Sequence, residues 1–203
     1  MSWDSSAENV NSGYGINEWS QADLKNMLNT YYIGEGASCT YCDGGNQATC
    51  TNSCNNSITP INSTYRNMIE SVVWNTGAIE WNDDGITPLQ AYNAERGTRT
   101  TEWEGKIGLM YPSDFGYAGG SICTSITFEN CSQNNWTNNG LWNWTMSPFA
   151  GSDYASVVWV VSYGLARAGY VDLDGGVRAA LYLKSNVQIN GGDGSKNTPY
   201  KLS

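Results

Sequence analysis

The chain has 203 residues and a formal net charge of −9; 14% of its residues are charged and 12% are aromatic. Its ten Lys and Arg are scattered, which argues against nucleic acid and anionic lipid as partners, because both are held by clustered cations. No apolar run approaches the roughly 18 residues that span a bilayer, and no signal-peptide pattern follows Met1, so direct membrane insertion by this stretch is not expected.

Nine Trp and 13 Tyr take over the burial that Leu and Ile supply elsewhere, since each large ring removes about 150–250 Å² from water. Abundant Gly and Asn point to short strands joined by many turns. Helical patterns come first. "NEWSQADLKNMLNTYY" offers Ser20 as an N-cap with Asp23 three residues on, then Leu24, Met27, Leu28 and Tyr31 on one face. "TPINSTYRNMIESVVW" places Pro60 in a first turn, with Ile61, Tyr65, Met68, Ile69 and Val72 as its stripe. "TPLQAYNAERG" is a third, short helix stopping at Gly97. Between the first two, residues 34–57 form a Cys-, Gly- and Asn-rich loop.

After Thr98 the pattern changes to strands. "TRTTEWEGKIGLMY" alternates and then runs apolar. "PSDFGYAGG" reads as a turn region and "SICTSITFENC" as a small strand. "GLWNWTMSP" alternates Leu141, Asn143 and Thr145 with Trp142, Trp144 and Met146, as a half-buried strand does. Two apolar runs follow, Val157 to Val161 and Val177 to Leu183, and the tail ends in one short strand. The expectation is a single α+β domain over residues 1–203, with two to three helices and small antiparallel sheets.

Six cysteines fall in two clusters: Cys39, Cys42, Cys50 and Cys54, then Cys123 and Cys131. Disulfides of an oxidising compartment are the favoured reading, with Cys123 and Cys131 as a local pair. Zinc held by the first four thiolates is the rival, because their spacing allows tetrahedral coordination. The absence of His removes Ser–His and Cys–His nucleophilic pairs and the usual near-neutral base. Carboxylate pairs remain at Asp83/Asp84, Glu102/Glu104 and Asp172/Asp174, the raw material of a glycosidase if two acids face each other across a cleft. Solvated turns explain them more simply. "WNDDG" and "DLDGG" are fragments of an oxygen-rich calcium loop without the remaining ligands in line. No cofactor is expected, and calcium alone stays open.

The stretch "GGVRAALYLKSNVQINGGDGSKNTPYKL", together with "ERGTRTTEWEGKIG", "GKIGLMYPSDFGYA" and "NWTMSP", resembles a group of bacterial surface domains, many from gut Firmicutes. They close on Gly-Val-Arg-Pro-x-x-Tyr-Leu-Lys-Ser-Asn-Val and a final Gly-rich hairpin. The group resembles C-type-lectin-like folds of the formylglycine-generating-enzyme branch, and some members are similar to the variable proteins of diversity-generating retroelements. Ala179 departs from the group's Pro, and nothing after Cys131 supplies the reactive Cys pair of the enzymatic relatives, so an enzyme is not expected.

The resemblance implies a ligand-binding, adhesin- or receptor-like domain, extracellular or on the cell surface, within a larger exported protein. It implies a variable region over about 154–176. There Trp159, Val160, Ser162, Tyr163, Leu165, Arg167, Tyr170, Asp172 and Asp174 would be displayed to an unknown protein or glycan. Val157, Val158, Val161, Val171 and Val177 would be framework. Tyr gives large contact area at low entropy cost, which suits such a patch. Arg178 would sit in a core strand, paired to a carboxylate or carbonyls, because an unpaired buried guanidinium is costly. Two alternatives stand beside this: a carbohydrate-active enzyme using paired carboxylates, and a structural module of a larger surface protein.

Overall fold

The computed structural model describes residues 1, 3–4, 16–35, 58–80, 85–97, 102–124, 126–128, 130, 135–138, 140–150, 156–160 and 166–203, with only the backbone described at 122, 124, 156–160 and 166. The fold is mixed α+β, and each of the four sheets among the described residues is small and antiparallel.

Helix α1 (Asp23–Met27) widens into a π-turn over Leu28–Tyr32. Leu24, Met27 and Leu28 are buried, as the periodicity predicts. Ser20 is not the cap. It lies exposed inside a 3-10 turn, Trp19–Gln21, and extended Ala22 precedes the helix. The orphan N–H groups of the first turn are met from outside the helix. Leu24 N–H donates to the Trp3 carbonyl at 3.1 Å, and Asp23 N–H to the buried Asp4 carboxylate at 3.2 Å.

The second predicted helix is broken into a single helical turn, a bridge and the start of a strand. Helix α2 spans only Ser63–Arg66, capped by the Asn62 side chain, which accepts from Thr64 N–H. The C-terminal segment then takes over the backbone. Ile69 bridges Leu183, Glu70 N–H donates to the Tyr182 carbonyl, and Lys184 N–H to that of Met68, each of these two at 2.8 Å. β1 (Val72–Asn75) follows, where β-branched Val72 and Val73 suit an extended chain.

Helix α3 (Pro88–Gly97) forms where expected. Its start is a reciprocal box in which Thr87 N–H donates to Gln90 Oε1 and Gln90 N–H to Thr87 Oγ1. Helix α4 (Pro112–Ala118) replaces the expected turn in "PSDFGYAGG". Pro112 presets the first turn and the Asp114 carboxylate accepts from Tyr111 N–H at 2.9 Å. "SICTSITFENC" supplies no strand among its described residues; Ser121–Thr124 is a 3-10 turn.

The single strand expected around Lys106 is two. β2 (Glu102–Gly105) pairs with β1, whereas β3 (Ile107–Leu109) pairs with β7 (Ala179–Leu181). Asn29 bridges the break. Its Oδ1 accepts from Lys106 and Ile107 N–H, and its Nδ2 donates to the Ile107 carbonyl.

β4 (Asn143–Pro148), β5 (Ser156–Val160) and β6 (Ala166–Tyr170) form the three-stranded sheet, and β8 (Ile189–Gly191) pairs with β9 (Lys201–Leu202). All six β4 residues are buried, so the predicted half-exposed alternation fails there. The second apolar run also departs from expectation: Leu181, Tyr182 and Leu183 remain substantially exposed, because β7 lies on the outside of fully buried β3.

The main core gathers Trp3, Trp19, Leu24, Ile33, Trp74, Ile107, Trp144 and Val171, and a smaller one under α3 and α4 gathers Ile79, Ile86, Ala91, Phe115 and Phe128. The α3 end is fitted closely to residue 77. Gly77 N–H donates to the Glu95 carbonyl, and a Cβ at Gly77 would overlap the carbonyl oxygens of Ala94 and Glu95. Gly77→Ala is expected to cost about 2 kcal/mol or more, since backbone must move. A denaturant midpoint equal to that of the parent chain would contradict this packing.

Candidate functional site

β6 is the edge of the three-stranded sheet among the described residues, held in full register to β5 from Ser156↔Tyr170 to Val160↔Ala166. Along it Arg167 and Tyr170 are exposed, while Gly169 and then Val171 are buried. The Val171 carbonyl accepts from Trp3 and Asp4 N–H at 2.9 and 3.0 Å, which pins the strand's exit to the N-terminal segment. Leu173 N–H closes a turn onto the Tyr170 carbonyl. The structure thus presents an Arg and a Tyr on a braced strand.

The other expected residues divide. Trp159 and Val160 lie in β5, paired with Arg167 and Ala166; only their backbone is described. Ser162, Tyr163, Leu165 and Val161 lie outside the described residues, as do Cys39, Cys42, Cys50, Cys54, Cys131 and the Asp83/Asp84 pair. Cys123 is fully buried and disulfide-bonded. Asp172 is partly exposed, yet its Oδ1 is buried without a hydrogen-bond partner. Asp174 is exposed, 3.6 Å from the Met1 amine. Val177 packs against the main core, as the framework role requires.

Arg178 does not occupy a core strand. It sits just before β7 and is partly exposed, because the chain reaches β7 along the surface, so its guanidinium keeps access to water. No group of three or more His, Cys, Asp or Glu side chains converges among the described residues. Glu102 and Glu104 lie exposed on the two-stranded ribbon opposite Asn75 and Val73, facing no cleft wall that the pairing supplies. An apolar cleft of about 260 Å³ lies elsewhere, lined by Met1, Met27, Leu28, Tyr32, Ile58, Thr59, Val177 and Ala179.

Sequence reasoning missed one surface feature. Trp136, Leu141 and Trp142 are 80%, 58% and 49% exposed. The reading of "GLWNWTMSP" put Leu141 and Trp142 in a strand, whereas β4 begins at Asn143. The available signal was charge: Asn130 through Ser152 contain no Asp, Glu, Lys or Arg.

It also missed the buried carboxylate. Glu95, 3% exposed, accepts from Ser113 N–H at 2.9 Å and from Ser113 Oγ at 2.5 Å, so its charge would face the first turn of α4. Burial pushes its pKa up to about 7; the Ser113 hydrogen bonds oppose that rise and nearby Asp114 adds to it. Comparison of the chain with protein-family models, curated proteins and solved structures finds no match.

Glu95 titrates higher folded than unfolded, so its contribution to stability is fully present below its ordinary value near 4.5 and is lost as pH rises through about 7. The loss is of the order of 3 kcal/mol. Urea titrations at pH 5 and pH 8 are expected to show that part of the difference shrink in Glu95→Gln. An identical pH difference in the variant would show that Glu95 is not its source.

Proposed function

We propose that this chain is a C-type-lectin-like ligand-binding domain of an exported bacterial surface protein, similar to the variable proteins of diversity-generating retroelements. Its recognition patch is the β5–β6 region. Arg167 and Tyr170 contribute from β6, and the resemblance extends the patch to Trp159, Val160, Ser162, Tyr163, Leu165, Asp172 and Asp174. One observation carries the reading: Arg167 and Tyr170 stand exposed on a strand whose register and exit are held by backbone hydrogen bonds. Substitution of exposed side chains on such a strand leaves the backbone pairing in place. Tyr and Arg are also the side chains that anchor interfaces most often.

Binding here is association over a rigid scaffold, where affinity grows as ordering costs fall. A second reading, a structural module of a larger surface protein, draws on the exposure of Tyr182, Leu183, Ile189 and Tyr200, each above a third. Such side chains would be covered by a neighbouring domain.

Arg167→Ala and Tyr170→Ala are each expected to leave unfolding free energy within about 0.5 kcal/mol of the parent. Each should also abolish or weaken at least tenfold, roughly, the binding of whatever the parent chain captures on protein and glycan arrays. A loss of stability typical of core truncation would mean that these side chains hold the fold, and the display reading would fall. Near-identical sequences from one strain supply an independent check: differences should concentrate at 154–176, in codons derived from adenine.

A further inference from the structure

Trp136 leaves four-fifths of its surface in water, although an indole contributes most to folding when it is covered. It is nevertheless held firmly. Asn135 and Thr137 on either side are buried. The Asn135 amide donates to the Phe115 carbonyl at 2.5 Å, and its Oδ1 accepts from Thr137 N–H at 3.0 Å and Thr137 Oγ1 at 2.5 Å. Asn138 N–H closes onto the Asn135 carbonyl, and Gly140 N–H onto Asn138 Oδ1. The turn anchors itself through α4 and presents the indole outward.

Leu141 and Trp142, five and six residues on, are exposed as well, and their backbone carbonyls are held in the same manner. Asn143 Nδ2 donates to the Leu141 carbonyl at 2.8 Å, and Gly176 N–H to the Trp142 carbonyl at 2.6 Å. A flexible loop would collapse its aromatic groups onto the surface. This one spends hydrogen bonds keeping them displayed, and pre-organisation of that kind lowers the entropic cost of binding.

The surrounding chemistry narrows the ligand. The 23 residues from Asn130 to Ser152 carry no charge and include six Asn. An anionic or cationic ligand would find no countercharge in the segment. A protein partner of ordinary size would need about 20–30 residues on this side, with a polar rim. The exposed apolar set spans the seven residues from Trp136 to Trp142, a footprint suited to a few sugar rings. Indole faces pack on the C–H faces of pyranoses, and amides exchange hydrogen bonds with neutral hydroxyls.

We propose that the Trp136–Trp142 turn is a binding platform for neutral oligosaccharides, separate from the Arg167–Tyr170 patch. It does not depend on that patch: either can fail while the other stands.

The test is isothermal titration of the whole chain with cellohexaose, xylohexaose, mannohexaose and chitohexaose, and with hexagalacturonate as the acidic comparison. At least one neutral hexasaccharide should bind with Kd below about 1 mM. That affinity should change less than about twofold between roughly 0.05 and 0.5 M NaCl. Trp136→Ala should weaken it at least about tenfold with Tm unchanged, and Trp136→Phe by less, since a ring remains. Tyr65→Ala, which removes an exposed aromatic on α2, should leave it intact. No neutral binder in the panel at about 10 mM, binding of the acidic hexamer alone, or an unaffected Trp136→Ala would each overturn the proposal. Because Trp136 lies on the surface, a lost Tm is itself an adverse result: the indole would then be structural.

Discussion

An indole cannot be buried as a hydrocarbon. Each brings an N–H whose burial without an acceptor costs about 1–3 kcal/mol, enough to cancel much of what its apolar surface gains. In this chain, backbone carbonyls from distant segments meet that demand for Trp3, Trp74 and Trp144, while the buried Trp19 Nε1 finds no acceptor among the described residues. Trp3 Nε1 donates to Thr145, Trp144 Nε1 to Met1, and Trp74 Nε1 to Gly105. The first two cross-tie the N-terminal residues and β4 in both directions. Once they are in place, Trp3 and Asp4 N–H lie against the Val171 carbonyl, and Gly175 N–H against that of Met1. Packing and polar satisfaction therefore fix the same backbone path. The ring contacts of Trp19 with Trp3 and Trp103 pack around it at 5.4 and 6.0 Å.

That arrangement separates frame from surface. Backbone hydrogen bonds from Trp3, Asp4 and Trp144 and to Met1 hold Val171, Gly175 and Gly176 in place, and the exposed Asp174 adds an ion pair to the Met1 amine. The same logic governs the turn before β4, where Asn135 and Thr137 do the bracing and Trp136 does none. Two buried carboxylates follow the rule as well. The Asp4 carboxylate accepts from the Ile16 and Asp23 N–H groups, and Glu95 meets the α4 start at Ser113. Each acid replaces water for backbone donors that the short helices cannot satisfy internally.

Sequence pattern identified α3, the burial of the α1 face, the later shift to strands and the run that became β4. Those segments carry strong local signals: Pro88 before a periodic stretch, and aromatic or β-branched residues bounded by turns. It failed where tertiary pairing decides. Ile69 and Val72 fit a helical stripe equally well, and pairing with the returning Leu183 and with Gly105 of β2 makes them extended, while Met68 ends in a turn. The Pro112–Asp114 start of α4 was a legible helix signal, overshadowed by the glycines that follow. β4 looked amphipathic because Asn143, Thr145 and Ser147 are polar, yet they are buried between β5, Gly176 and the N-terminal segment. Arg167 and Tyr170 could be nominated from composition. Their exposure could not, since it depends on which edge of the sheet β6 occupies.

The register also relates the two surfaces. Asn143, Val160 and Ala166 share one end of the sheet, so Trp142 borders that end, with Arg167 one position along. Tyr170, opposite Ser156, lies three residues beyond Arg167, about 10 Å at strand spacing. Exposed Trp142 and the charged, aromatic face of β6 therefore meet at one end of a common sheet and diverge toward the other. Substitution along β6 alters the second surface in graded steps away from the first, and leaves untouched the amide bonds that hold Trp136 outward.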